Sequence, residues 1–149
     1  MSLLVLKFGG TSVGSCSKIA KVAKLVKKYY DQKNRVIVVA SAMSGTTDDL
    51  IKKSKKISKK FEKSEYDVLV STGEQITCSL LAGALIELGI KARSWLGWQI
   101  PIVTNDNHTS SQIMQIKTDE ILNFISQKGL AIIPGFQGIS KESRVTTFL

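Results

Sequence analysis

The chain begins with an apolar run, Leu3-Leu4-Val5-Leu6, that reads as a short buried strand and passes directly into Lys7-Phe8-Gly9-Gly10-Thr11-Ser12-Val13-Gly14. This strand exit constrains the fold more than any other stretch. Two adjacent glycines open backbone angles that other residues avoid and let a ligand come close. Backbone N–H groups exposed in such a turn form a concave anion site, and Lys7 adds a mobile positive charge. The combination suits a polyphosphate. The loop is not G-x-x-x-x-G-K-[ST], because its lysine precedes the glycines, and it is not the G-x-G-x-x-G fingerprint. From the pattern alone, a plain Gly-Gly turn behind an edge lysine is the alternative.

The rest of the chain alternates between two periodicities. Lys18–Tyr30 reads as a helix with Lys18, Lys21, Lys24, Lys27 and Lys28 opposite Ile19, Val22, Val26 and Tyr29. Val36–Ala40 is a continuous β-branched run, as in a strand covered on both faces. A basic helix is expected from about Asp48 to Lys63, a short strand over Asp67–Val70, and an apolar helix over Gln75–Leu88 closed by Gly89. Strands follow at Ala92–Leu96 and Ile100–Val103, then a polar loop over Thr104–Ser111. A helix over Thr118–Gln127 ends at Gly129, and Leu130–Ile133 is another buried strand. Strands alternating with helices predict an α/β fold, an open αβα sandwich around a mainly parallel sheet. Ligands of such sheets gather beyond the carboxyl ends of the strands. Lys7–Ser12, Ser41–Thr47 and Ser71–Glu74 fall there, after the first, second and third strands.

Composition narrows the partners. The 149 residues, 43% hydrophobic, suffice for one domain with a core. No apolar run approaches bilayer length, and Met1-Ser2-Leu3-Leu4 lacks a basic n-region, so neither a membrane nor a signal peptide is expected. Cys16 and Cys78 have no metal-ligand spacing and are too few for a disulfide framework, which fits reduced thiols in the cytoplasm. The net charge of +9 comes from lysines on helical faces, without the interleaved arginines and aromatics of a nucleic-acid platform, so no nucleic-acid partner is expected. His108, the single histidine, lies in a polar loop and is expected to be exposed or locally hydrogen-bonded. Trp95 and Trp98 are expected in the core or at an interface.

Four blocks occur in order: Lys7 to Gly14; Val38-Val39-Ala40-Ser41-Ala42-Met43 running to Thr46-Thr47-Asp48-Asp49-Leu50; Ser71-Thr72-Gly73-Glu74; and Pro134-Gly135-Phe136-Gln137-Gly138. Together they resemble the aspartokinases of the amino acid kinase family, and the resemblance covers the chain from Leu3 onward. It implies an ATP-dependent phosphotransferase with Mg2+ bound alongside the nucleotide. The implied reaction moves the γ-phosphoryl group to the side-chain carboxylate of L-aspartate, giving 4-phospho-L-aspartate, toward lysine, diaminopimelate, threonine and methionine. Lys7 matches the lysine that contacts the transferring phosphoryl group. Phe8, Gly9, Gly10 and Ser41 match the nucleotide and phosphate site, and Thr47 and Glu74 match contacts to aspartate, Glu74 to its α-amino group. No protein metal site is implied, and a homo-oligomer is expected. Sister kinases acting on acetylglutamate, glutamate, carbamate or uridylate are the enzymatic alternative, and a catalytically dead module is the other.

Two of these residues have plain local readings as well. Thr72-Gly73-Glu74-Gln75 reads as a capping box, which would make Glu74 an exposed first-turn acid. Thr47 or Thr46 could cap the helix beginning at Asp48, and Asp48 and Asp49 suit its positive end without any ligand. The family continues past a threonine pair into an arginine- and glycine-rich loop ending in aspartate. This sequence reaches Val145-Thr146-Thr147 and then Phe148-Leu149. The expectation is therefore the N-terminal part of an amino acid kinase domain over residues 1–149, incomplete at its C-terminus.

Overall fold

In the computed structural model, which describes residues 1–148, the chain runs β1 (Leu3–Phe8), α1 (Cys16–Asp31), β2 (Arg35–Ala40), α2 (Thr46–Ile57), α3 (Lys63–Glu87), β3 (Ala92–Ser94), β4 (Ile102–Thr104), β5 (Ile113–Ile116), α4 (Asp119–Ser126), β6 (Leu130–Pro134), β7 (Gln137–Ser140) and β8 (Val145–Thr147). Four strands form one all-parallel sheet in the order β1-β2-β6-β3. The central strands β2 and β6 are the uninterrupted apolar runs. Alternate side chains of a strand face opposite layers, and both layers are apolar here. Val36, Val38, Leu130 and Ile132 pack with Ile19, Val22 and Val26 of α1 and Leu81 and Leu85 of α3. Ile37, Ala131 and Ile133 turn the other way, toward Trp95, Ile121 and Ile125. Helices therefore cover both faces, and the αβα sandwich is as expected. Each fully buried Leu, Ile or Val stabilises it by about 1.5–3 kcal/mol. The outer face of β1 is open, with Leu3 42% and Val5 61% exposed.

A second, mixed sheet was not legible in the sequence. Its order is β5-β4-β7-β8, with β4 parallel to β7 and the two outer pairs antiparallel. Its strands hold only three or four residues each, too few to show a period of two.

The largest correction concerns residues 58–74. The expected basic helix stops at Ile57, and Ser58 is extended. The expected strand over Asp67–Val70 is instead the first part of α3, a helix of 25 residues. Val68-Leu69-Val70 is an apolar run that suits either state. Its buried residues Asp67, Val70, Ser71, Glu74, Thr77, Cys78 and Leu81 recur every three or four positions, so packing selects the helix. By length and composition α3 could span a bilayer, contrary to the expectation from sequence. Half of that apolar window is buried inside the fold. The strand expected over Ile100–Val103 is displaced to Ile102–Thr104, and α1 begins two residues early, at Cys16, where Ser15 accepts from the Lys18 N–H at 3.2 Å.

Candidate functional site

The three polar blocks meet at Ala42, just past the carboxyl end of β2. A Cβ on Gly10 would lie 2.9 Å from the Ala42 carbonyl oxygen, so the glycine loop sits against this segment as only glycine allows. A Cβ on Gly73 would lie 2.9 Å from the Ala42 Cβ and 3.4 Å from Thr46 Cγ2, so α3 seats its glycine on the same residue from the other side. The Ala42 backbone N–H faces the Glu74 carboxylate and favours its charged form. The fourth block closes the arrangement. Gly135 N–H donates to the Ala40 carbonyl at 3.0 Å, and the fully buried Gln137 donates from Nε2 to the Ser71 carbonyl at 3.1 Å. The third block thus reaches the rim on a helix running against the strands, not at the end of a strand.

Glu74 is 5% exposed, and its Oε2 is buried without a hydrogen-bond partner among the described residues. The capping-box reading is excluded, because Glu74 lies in the middle of α3 and Thr72 Oγ1 donates to the Leu69 carbonyl at 2.7 Å. Burial raises the Glu74 pKa from 4.5 to about 7; the N–H groups of Glu74 itself and of Ala42 offset part of the rise. Cys78, one turn on, is pushed up to about 12, first by burial and then by the Glu74 carboxylate, which leaves it an unreactive thiol. Because the folded-state pKa of Glu74 is raised, its stabilising contribution is complete below about pH 4.5. It is lost as pH rises to about 7. The shift from 4.5 to about 7 corresponds to about 3 kcal/mol at 1.36 kcal/mol per unit. We expect Glu74→Gln to remove this loss, so that urea-unfolding free energies of variant and parent diverge by that order between pH 4.5 and 7.5. Parallel pH profiles would refute the assignment.

The remaining expected residues lie on the same rim. Lys7 is exposed at the penultimate position of β1, paired in register with Val39. The half-buried Phe8 side chain packs on the core while its carbonyl accepts from the Ser41 N–H at 3.1 Å. Gly9 is open, with nothing among the described residues within 4 Å of a Cβ position beyond its chain neighbours. The loop is held shut from behind: Ser12 N–H donates to the Gly9 carbonyl at 3.0 Å, and Lys18 Nζ donates to the Thr11 carbonyl at 3.0 Å. Thr47 is half-buried in the first turn of α2. Neither Thr46 nor Thr47 caps that helix; its N-cap is Gly45 at φ 80°, with no side-chain capping bond. The glycine cradle with Lys7 beside it fits a polyphosphate. Among the described residues no three His, Cys, Asp or Glu side chains cluster as a metal cage. A divalent ion arriving with a nucleotide would be held by phosphate oxygens and water, the usual state of Mg2+.

Sequence reasoning missed Asp67. It is fully buried on the same face of α3 as Ser71 and Glu74. Its Oδ1 accepts from Thr147 Oγ1 at 2.6 Å, both oxygens accept from the Thr109 N–H at 3.1 Å, and His108 Nδ1 sits 2.8 Å from Oδ2. His108 is therefore neither exposed nor locally bonded, because its partner lies 41 residues away. Trp95 is buried, as expected, and Trp98 half-buried.

Comparison with known proteins gives one consistent answer. An aspartate kinase from Stutzerimonas stutzeri is 46% identical over 147 residues, which is 99% of this chain and 36% of that protein. The crystal structure of aspartate kinase from Synechocystis superposes with a TM-score of 0.83 at 32% identity, over 97% of this chain and 23% of its own. Aspartokinase III from E. coli, in complex with aspartate and ADP, superposes at 0.83 with 22% identity, over 99% of this chain and 43% of its own. The chain therefore spans about a third of the length of the curated relative it matches. The amino acid kinase family model matches residues 2–148. On that match, and on four sequence blocks brought to one rim, the chain belongs to the amino acid kinase family.

Proposed function

We propose that this chain supplies the phosphate cradle and the acceptor site of an ATP-dependent aspartate kinase. The observation that carries the reading is the meeting of the glycine loop, the Ser41–Thr47 segment and Glu74 at Ala42, with one buried Glu74 oxygen unpartnered. The aspartate kinase relative supports the choice of acceptor, and the ADP and aspartate bound to aspartokinase III support the choice of ligands. Gly9 and Gly10 offer backbone N–H groups to the nucleotide phosphates, with Mg2+ accompanying them. Lys7 offsets the charge that builds on the γ-phosphoryl oxygens during transfer. A side-chain oxygen of aspartate attacks the γ-phosphorus, the bond to the bridging oxygen of ADP breaks, and an acyl phosphate forms. No general base is required, because the acceptor carboxylate is already ionised at neutral pH. Thr47 contacts the substrate, and Glu74 pairs with its ammonium group. The two free thiols suit a reducing, cytoplasmic setting, and the acyl phosphate would feed amino-acid biosynthesis.

Glu74 makes the reading testable. An ammonium group beside Glu74 draws it to the carboxylate, so aspartate binding near pH 7 releases about half a proton. Calorimetry in buffers of different ionisation enthalpy reads this directly. Glu74→Gln should abolish the release and weaken aspartate by about ten- to 150-fold, the equivalent of a charge-assisted bond worth roughly 1.5–3 kcal/mol, while nucleotide affinity stays unchanged. Acyl-phosphate formation by the full gene product, trapped with hydroxylamine, separates aspartate from acetylglutamate, glutamate and carbamate as acceptors. Equal aspartate affinity in parent and variant would remove Glu74 from the site. Turnover only with another acceptor would replace the substrate, and no turnover with any acceptor would leave a binding module.

A further inference from the structure

The turn between β6 and β7 holds a strained residue that neither the phosphate cradle nor the acceptor site uses. Phe136 sits at φ 59°. This left-handed region is an outlier for a bulky side chain. Gly135 precedes it and Gly138 follows closely, yet neither adopts a positive φ. Lys33 and Lys128 are also left-handed, but they follow the ends of α1 and α4, where such a residue commonly closes a helix. Phe136 closes no helix. A conformation of this kind persists only where its surroundings over-determine it, and it gathers where geometry serves function.

The turn aims Gln137. That side chain is fully buried, and both polar atoms of its amide have partners. Nε2 donates to the Ser71 carbonyl at 3.1 Å and to the Gly135 carbonyl at 3.4 Å, and Oε1 faces Gln75 Nε2 at 3.5 Å. The amide points only one way, because the reverse would set its oxygen against two carbonyls. The Gly135 N–H donates in turn to the Ala40 carbonyl at 3.0 Å. The turn is thus a bracket. One arm holds the end of β2 at Ala40, two residues before Ala42, and the other holds α3 at Ser71, three residues before Glu74. It spans the two segments that carry the Glu74 carboxylate and the Ala42 N–H facing it.

We propose that Gln137 is a positioning residue for the acceptor site, fixing the height of α3 against the end of β2, and that the strained turn at Phe136 exists to aim its amide at Ser71. This rests on the reading of Glu74 as partner of the substrate ammonium group. Gln137 acts through Ser71 and Glu74 and touches no substrate itself. Without its amide, the packing of Gly73 on Ala42 is left to hold the helix in place, and a slide lets water reach Glu74. The bond from Thr147 to Asp67 ties α3 to the second sheet, not to β2, so it does not replace the bracket.

The pH profile of kcat/KM for aspartate in the full gene product tests this, because it reports ionisations essential in the free enzyme. Glu74 must be ionised to pair with an ammonium group, so the parent profile should rise to a plateau through about pH 7. That value is set by burial and backbone N–H groups, not by charged side chains such as Lys7 on β1 or Asp48 and Asp49 on α2; Cys78, on its own helix, stays neutral. Gln137→Met is similar in length and lacks the donor. It should move the rise down by about one unit or more, toward the ordinary carboxylate range. On the plateau it should raise KM for aspartate about ten- to a hundredfold, since a misplacement near 1 Å can cost about 10²-fold, with KM for ATP unchanged. Phe136→Val disfavours the left-handed turn and keeps Gln137, so it should shift the profile the same way, whereas Phe136→Gly keeps the turn and should leave the profile in place. His108→Ala controls for simple destabilisation. It should lower the melting temperature yet leave the rise near pH 7, which also removes His108 as its source. A rise that survives Glu74→Gln would overturn the Glu74 reading and this inference with it. A rise that Glu74→Gln abolishes but Gln137→Met and Phe136→Val leave unmoved, or one that His108→Ala shifts equally, would overturn this inference alone.

Discussion

Asp67→Ala should lower the unfolding free energy by about 3 kcal/mol or more, because three groups lose their shared partner at a cost of about 1–3 kcal/mol for each one left buried and unsatisfied. That is a large part of the 5–15 kcal/mol that holds a typical domain together. The effect follows from how many segments Asp67 joins. With the carboxylate gone, the hydroxyl of Thr147, the N–H of Thr109 and Nδ1 of His108 all lose their shared partner. Ser111 is tied to the same strand end, its N–H and hydroxyl donating to the Thr147 carbonyl at 3.0 and 2.8 Å. His108→Ala should destabilise less, because Asp67 keeps Thr109 and Thr147. Urea unfolding followed through the buried Trp95 measures both variants. A loss below 1 kcal/mol for Asp67→Ala would show that water replaces those bonds at little cost.

Lys7→Ala should show the opposite profile in the full gene product. Its side chain is exposed, and exposed substitutions change stability by about 0.5 kcal/mol or less. Turnover, however, should fall about 10²–10³-fold, as when one preorganised donor to a developing anion is removed. Lys7→Arg should recover only part of this, because a planar fork does not reproduce a compact point charge. Steady-state kinetics beside thermal unfolding checks the pair. A turnover within a factor of three of the parent would take Lys7 out of the reaction.

The two variants also divide what could be read from the chain alone. Lys7 and Gly9-Gly10 announce themselves because a strand end, a lysine and two glycines are contiguous, and short-range spacing survives into the fold. The same holds for α1, whose lysine and apolar faces repeat every three or four residues, and for β2 and β6, whose unbroken runs require cover on both sides. Asp67 has no such signal. Its partners are 41, 42 and 80 residues away, and no local spacing links them. The short strands of the second sheet were hidden for the same reason, since β4 pairs with β7 across α4 and β6.

Glu74 stands between these cases. Its place in Ser71-Thr72-Gly73-Glu74 was visible, but its setting was misjudged. In sequence, Ser-Thr-Gly looks like a break, and the capping-box alternative would have made the glutamate a surface acid. In the folded protein α3 runs straight through, because Gly73 seats against Ala42 and Gln137 holds Ser71. The sequence by itself determined which residue types arrive at the strand ends and the alternation that builds the sandwich, because both depend on neighbours a few positions apart. Only the tertiary structure decided that residues 67–74 are helical, that Glu74 is buried with a pKa near 7, and that Ala42 is where three blocks meet. Each depends on contacts between segments far apart in the chain, and the packing free energy of those contacts outweighs the weak local preferences that point elsewhere.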